Sequence, residues 1–334
     1  MPKTEAKRKA AAPVSPSATK NKVAAMGKPQ ASRKKKAISE DMPIAKRADP
    51  HICYQLSVQN TEHEVDMLSK TFKRYRKRKA LSLKEDFCGT AILCADWVKS
   101  DPKRSATGLD IDASVLRWGI EHNMSVINEP GNRVKLLQQN VLDSTGERFD
   151  IVVGFNFSYW LFEKRAQMKR YLSTAYEQLE DDGMLFLDFY GGWEAQEPME
   201  EPREISVPKH LRKAEEPGPD ATLEERFNWE AGLVGVKKFT YVWDQNTFNP
   251  ITNSAMNYIH FRFNDGSSLE RAFSYSWRLW NVVEIRELLD EVGFARTEVL
   301  WEESDEEDEG TGEFSPAKKV DNDPGWLAYI VALK

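Results

Sequence analysis

Ala80-Leu-Ser-Leu-Lys-Glu-Asp-Phe-Cys-Gly-Thr-Ala-Ile-Leu-Cys-Ala-Asp-Trp-Val98 is the stretch whose reading decides the fold. Residues 80–87 carry strand character, Gly89-Thr90 supply a turn, and Ala91 to Val98 continue as an apolar helix. A strand, a glycine turn and a helix in this order open a βαβ crossover. The chain then repeats the alternation. Strands are expected at 106–110, 134–137, 149–154 and 184–189, with helices at 113–123 and 164–179 between them. Strands separated by helices of this length imply a parallel sheet. The turn Asp181-Asp182-Gly183 reads as the stop of the second of these helices.

Beyond residue 230 the period changes to two. Lys238–Trp243, Met256–Phe263 and Leu269–Trp277 are short alternating strands joined by turns, hence an antiparallel meander. A helix over Val283–Val292 stops at Gly293, and Arg296–Trp301 with Trp326–Leu333 are expected to close the main sheet as an antiparallel pair. The expected fold is α/β, one sheet domain with an inserted antiparallel β cap.

Composition sets the outer limits. The 334 residues include ten Trp, ten Tyr and sixteen Phe, enough to build a sizeable core. Residues 1–47 hold 13 Lys/Arg against three acids, whereas the remainder is strongly acidic and the whole carries −6. The first stretch has almost no large apolar residues and reads as a disordered basic arm. Its clusters Lys7-Arg8-Lys9 and Arg33–Lys36 would serve as a nuclear address, a nucleic-acid contact, or a solubilising tail. Residues 48–334 are expected to form the folded domain, with 194–281 as loop and cap insertion and 302–325 as an acidic loop; within the insertion 194–226, with Pro198, Pro202, Pro208, Pro217 and Pro219, reads as a long irregular connection. No run of 18 apolar residues suggests a membrane span. Cys53, Cys88 and Cys94 have neither an even count nor metal-ligand spacing, so a reducing cytoplasmic or nuclear setting is expected, without a structural metal.

The glycine turn carries the chemistry. An open α/β sheet receives nucleotide-like ligands at the carboxyl ends of its strands. Here Glu85-Asp-Phe-Cys-Gly-Thr-Ala91 has one glycine, with Phe87 and Ala91 flanking it. A dinucleotide pyrophosphate needs several glycines; a phosphate-free nucleoside needs one close backbone approach and an acid for its ribose. Asp110 follows the second strand as that acid, and Gln139-Asn140-Val141 follows the third with a side-chain amide and a backbone N–H.

Taken in order, Glu85–Leu93, Gly108-Leu-Asp-Ile-Asp112, Gln139–Val141, Phe149–Gly154 and Asp182–Asp188 resemble the motifs of class I S-adenosylmethionine-dependent methyltransferases. The match covers residues 80–190 by motif and extends to Lys334 by topology. It implies a Rossmann-like, doubly wound, mostly parallel sheet of seven strands. It also implies S-adenosylmethionine as cofactor, with Glu85 at the methionine amino end and the backbone of Phe87, Cys88 and Gly89 beside it. Asp110 would bind the ribose and Asn140 with Val141 would face the adenine, with Ile111 and Asn156 as further cofactor-binding candidates. Phe87 and Ala91 stand where the family usually has glycine, and Asn140 where Asp is common.

The resemblance implies methyl transfer to a small molecule or protein under the aromatic cap. Asn156-Phe-Ser-Tyr159 invites comparison with the Asn/Asp-Pro-Pro-Tyr motif of base-directed amino methyltransferases, without its prolines. Asn156, Tyr159 and, as a general base, His260 are therefore candidate catalytic residues. Tyr54 and Gln55, ahead of the first strand, are placed to close over the cofactor. The alternative function is a nucleic-acid- or chromatin-associated factor acting through the arm, with a domain that binds cofactor without catalysis.

Overall fold

The computed structural model describes residues 42–127, 130–210, 217–218, 221–304 and 310–334. Nearly all of the basic arm, with both of its clusters, lies outside them. Its last residues do not belong to an arm: Ile44 is buried, its N–H donates to Asp265 Oδ2 (2.7 Å), and the Ala45 N–H donates to Ser267 Oγ (3.0 Å). The fold therefore includes residues 44–45, inside the stretch read as arm.

Two helices that the sequence reading did not assign come first. Helix α1 (Pro50–Val58) starts where Asp49 caps it and Pro50 occupies its first turn. Helix α2 (Thr61–Arg76) ends at Lys77, which is left-handed. The alternation then follows as expected: β1 (Ser82–Asp86), α3 (Ile92–Ser100), β2 (Ser105–Asp110) and α4 (Ala113–His122), then α5 (Pro130–Arg133) and β3 (Val134–Gln138). Next come β4 (Phe149–Gly154), α6 (Arg165–Glu177) and β5 (Leu179–Gly191). Strand β5 begins before the Asp-Asp-Gly turn. Its pairing with β4 jumps from Leu179 to Met184, so the turn is an irregularity inside the strand and not a helix stop.

The segment read as an irregular connection contains β6 (Met199–Ser206) and α7 (Leu223–Leu233). Pro202 misled that reading. It lies in β6 opposite Val242, and β6 is an edge strand, where a missing N–H is tolerated. The cap sheet has the order β6-β7-β8-β9, with β7 (Lys238–Asn249), β8 (Ser254–Phe263) and β9 (Ser268–Arg278). Helix α8 (Val282–Val292) is bracketed by an Asn281–Glu284 capping box and left-handed Gly293. Strands β10 (Arg296–Ser304) and β12 (Trp326–Leu333) form the terminal pair.

The main sheet has the order β11-β10-β12-β5-β4-β1-β2-β3. It has eight strands where seven were expected. The extra one, β11 (Gly310–Pro316), lies within the presumed acidic loop and adds to the sheet edge antiparallel to β10. Strands β1 to β5 pair in parallel, and β12 runs antiparallel between β5 and β10. Side chains of α2, α3 and α4 pack on one face, and those of α6 and α8 on the other. Both faces are thus covered, as a parallel sheet requires. Among the described residues, no helix is long and apolar enough to cross a membrane.

Candidate active site

Every feature of interest sits where β1, β2, β4 and β5 end. In a strand, alternate side chains face opposite ways. In β1 this sends Lys84 and Asp86 to one side, where they form a fully buried ion pair (2.6 Å) beside Tyr171. Glu85 points to the other side, where its Oε2 accepts the Cys94 N–H (3.1 Å) at the start of α3. The backbone then turns through three left-handed residues, Phe87 (φ 57°), Gly89 (φ 54°) and Ala91 (φ 57°). A Cβ added at Gly89 would meet nothing within 4 Å, so this point of the turn faces open space. Phe87 and Ala91 keep a glycine-like conformation without glycine. A left-handed L-residue costs ~1–2 kcal/mol, and packing offsets it. The Phe87 ring lies against Phe162 and Tyr171, and Ala91 is wholly buried.

Asp110 ties two strand ends together. Its Oδ2 accepts the Gly89 N–H (2.9 Å) and its Oδ1 accepts the Asp112 N–H (2.8 Å). Each oxygen keeps a further lone pair for hydroxyl groups. Ile111 follows with 70% of its surface exposed, a bare apolar platform beside this carboxylate. Asn140 is exposed and its Oδ1 accepts the Leu142 N–H (2.9 Å) in a local turn, while the Val141 side chain is buried. The Cys88 and Phe87 side chains point into the core, so only their backbone can serve a ligand.

Three carboxyl groups give this region its electrostatic character. Burial pushes Glu85 up to about 7 and Asp188 up to about 7. Burial, with Asp188 and Glu85 as neighbours, raises Glu64 of α2 well above the usual range. None of the three has an ion-pair partner among the described residues. Carboxyl groups held this way want a cation. Glu64 was not anticipated, because nothing in Thr61-Glu-His-Glu64 distinguishes it from an ordinary first helical turn.

After β4 the chain leaves through another left-handed pair, Asn156 (φ 56°) and Phe157 (φ 54°). The Asp188 Oδ1 accepts the Phe157 N–H (3.0 Å) and holds this turn. Asn156 and Phe157 reach the floor of a cleft of about 430 Å³ between the main sheet and the cap. Its walls come from Tyr190 and Trp326 of the main sheet, Trp243 and Gln245 of β7, and Tyr275 and Trp277 of β9. Tyr54 of α1 enters from the side and its ring packs against Phe273 of β9. The next residue, Gln55, donates to Thr90 Oγ1 (2.6 Å), so α1 clamps the glycine turn and the cap at once.

Two sequence-stretch candidates lie elsewhere. Tyr159 is fully buried and its hydroxyl donates to the Asp188 carbonyl (2.7 Å), so it is a packing residue under the turn. Phe157 presents its ring to the cleft instead. The parallel with the base-directed motif therefore fails at its aromatic position. His260 faces away from the cleft: its strand neighbour Ile259 lines the cleft, whereas its own ring meets Asp244 (3.2 Å) and Glu270 (2.5 Å). It is a cross-strand tie, because alternation along β8 put it on the outer face.

No protein-family model matches the chain, and no curated protein matches it either. Solved structures do. An S-adenosylmethionine-dependent methyltransferase from Clostridium acetobutylicum ATCC 824 superposes with a TM-score of 0.56 at 13% identity, over 85% of this chain and 96% of the other. DesVI of Streptomyces venezuelae gives 0.57 at 14%, over 84% and 95%. The sugar N-methyltransferase KedS8 from Streptoalloteichus sp ATCC 53650 gives 0.56 at 13%, over 86% and 93%. At these identities the likeness establishes the fold, a Rossmann-like methyltransferase fold with an antiparallel insertion.

Proposed function

We propose that the chain is an S-adenosylmethionine-dependent methyltransferase whose acceptor, a small molecule or a protein side chain, binds in the aromatic cleft. The observation that carries this reading is the meeting of two sites at one turn. Asn156 ends the strand beside the cofactor loops and also lines the cleft, so a ligand on either side would share it.

The residues present fit the cofactor. The open space at Gly89, the two-lone-pair carboxylate of Asp110 and the bare face of Ile111 suit a phosphate-free nucleoside. The unpaired carboxyl groups of Glu85, Asp188 and Glu64 suit its positive charges. S-adenosylmethionine, when bound, supplies a methyl group already activated on a cationic sulfur. The chain's residues then have three tasks. Glu85, Gly89, Asp110, Ile111, Asn140 and Val141 hold the cofactor; Asn156 and Phe157 orient the acceptor against it; α1 and the cap exclude water. A fixed orientation is itself a large part of the rate for such a displacement.

Calorimetric titration of the chain with S-adenosylmethionine and S-adenosylhomocysteine tests the reading. Micromolar binding that Asp110→Ala removes is the expected result. A folded protein that binds neither ligand would overturn it.

A further inference from the structure

We infer that the cleft selects an amine, and that the reaction, on the reading above, is N-methylation. The face of the cap sheet turned to the cleft carries three rings in mutual contact. The Trp243 and Trp277 centroids are 5.9 Å apart, Tyr275 and Trp277 4.6 Å, and Trp243 and Tyr275 6.1 Å. From below, Phe157 meets Tyr190 edge-on at 4.7 Å and Trp277 at 6.1 Å. The cleft is therefore walled by aromatic rings, whose faces attract a cation more strongly as water is excluded.

Charge decides between a cation and a neutral planar guest. The cleft is lined by two carboxylates, Glu194 and Glu201, and by no Lys, Arg or His side chain. Neither glutamate has an ion-pair partner among the described residues. Glu194 is held in place, because its N–H donates to the Pro324 carbonyl (3.0 Å) and its carbonyl accepts from Gln245 Nε2 (2.8 Å). Gln245 donates a second time, to the Glu197 carbonyl (3.0 Å), so its amide N–H groups are spent inside the protein. Arg203 lies 5.3 Å from the Tyr241 ring and bonds to the Ser57 carbonyl, which marks Tyr241 as the less favourable wall. The cation seat is the Trp243–Tyr275–Trp277 corner.

The chemistry balances without a further reagent. An ammonium guest loses one proton to solvent through the open mouth. The freed nitrogen lone pair forms the N–C bond to the methyl carbon while the C–S bond breaks and sulfur keeps its electron pair. The positive charge moves from sulfur to nitrogen, so the methylated product is an ammonium held among the rings.

The test uses the full chain saturated with S-adenosylhomocysteine, titrated calorimetrically with choline and with its neutral carbon analogue 3,3-dimethylbutan-1-ol. We expect choline to bind at least tenfold more tightly. Trp243→Leu and Glu194→Gln should each weaken choline several-fold and leave the alcohol within twofold. Equal affinity for the two guests, tighter binding of the alcohol, or binding of neither would overturn the inference. Failure of S-adenosylhomocysteine to bind in the first step would sink the methyltransferase reading, a different result read from the same cell.

Discussion

The turns after β1 and β4 solve one problem in two ways. Each takes a buried parallel strand out of the sheet through left-handed residues, Phe87, Gly89 and Ala91 in one and Asn156 and Phe157 in the other. In the first, the phenylalanine ring is tucked into the core beside Tyr171, and the backbone is what faces the ligand space. In the second, the phenylalanine ring itself stands in the cleft. Backbone recognition tolerates a change of side chain as long as the conformation survives. That is how Phe87 and Ala91 can occupy positions where the resembling family has glycine. Side-chain recognition does not tolerate it, so on the proposed function the cap and the β4 turn would set acceptor choice.

The largest effect should come from Asp110, a cofactor-side residue that acts through its side chain. Asp110→Ala removes a carboxylate that anchors Gly89 and would accept two ribose hydroxyls. Hydrogen bonds to a charged group are worth ~1.5–3 kcal/mol each, so S-adenosylhomocysteine affinity should fall about 100-fold or more. Calorimetry reads it directly; a loss below tenfold would move the ribose away from Asp110.

Gly119 tests the backbone half by a different route. A Cβ at this position would lie 2.3 Å from the Thr90 carbonyl oxygen, so α4 rests on the glycine turn at this residue. Gly119→Ala must push the turn or the helix aside. The expected destabilisation is ~1–3 kcal/mol, measured by urea unfolding. Affinity for S-adenosylhomocysteine should drop with it, because Thr90 belongs to the turn.

The same division explains what could be read from sequence. Glu85, Gly89, Asp110 and Asn140 each sit at or just past the end of a strand, at a spacing set by the βαβ repeat, so local pattern places them. The cap strands were readable from alternation as well. The cleft was not, because it needs Tyr54, Phe157, Tyr190, Trp243 and Trp277 to converge from five elements. Helices α1 and α2 gave no marked signal, and Pro202 concealed β6. His260 and Tyr159 were chosen by residue type. Strand phase turned the first outward, and the left-handed pair at 156–157 rotated the second beneath the turn.

A smaller effect follows from charge. Glu85 and Asp188 sit near 7 in the folded protein, against ordinary carboxyl values of about 4. Between those limits the folded state holds protons that the unfolded chain has released. Their contribution to stability is therefore full below about pH 4 and lost as pH rises through about 7. Asp265, held down at about 2 by hydrogen bonds from the Ile44 N–H and Ser267, acts in the opposite direction only on the acid side. Thermal unfolding of the ligand-free protein between pH 5 and 7.5 should thus show falling stability, with a shallower slope in Glu85→Gln. Binding of S-adenosylmethionine at pH 6.5 should release protons, read by calorimetry in two buffers of different ionisation enthalpy. Proton uptake would mean that these carboxyl groups do not face the cofactor's charge.

The smallest expected effect is the sharpest test of backbone-led recognition. Ala91→Gly relieves a left-handed alanine, a gain of ~1–2 kcal/mol. It also removes a fully buried methyl, which costs about 0.8 kcal/mol, and frees the unfolded chain, which costs ~0.5–1 kcal/mol. These terms nearly cancel, so stability should change by less than about 1 kcal/mol, and S-adenosylhomocysteine affinity should stay within about twofold, because the turn keeps its path. A large loss of affinity with unchanged stability would show that the Ala91 methyl shapes the ligand space after all. The turn after β1 would then recognise its ligand through side chains, as the turn after β4 does.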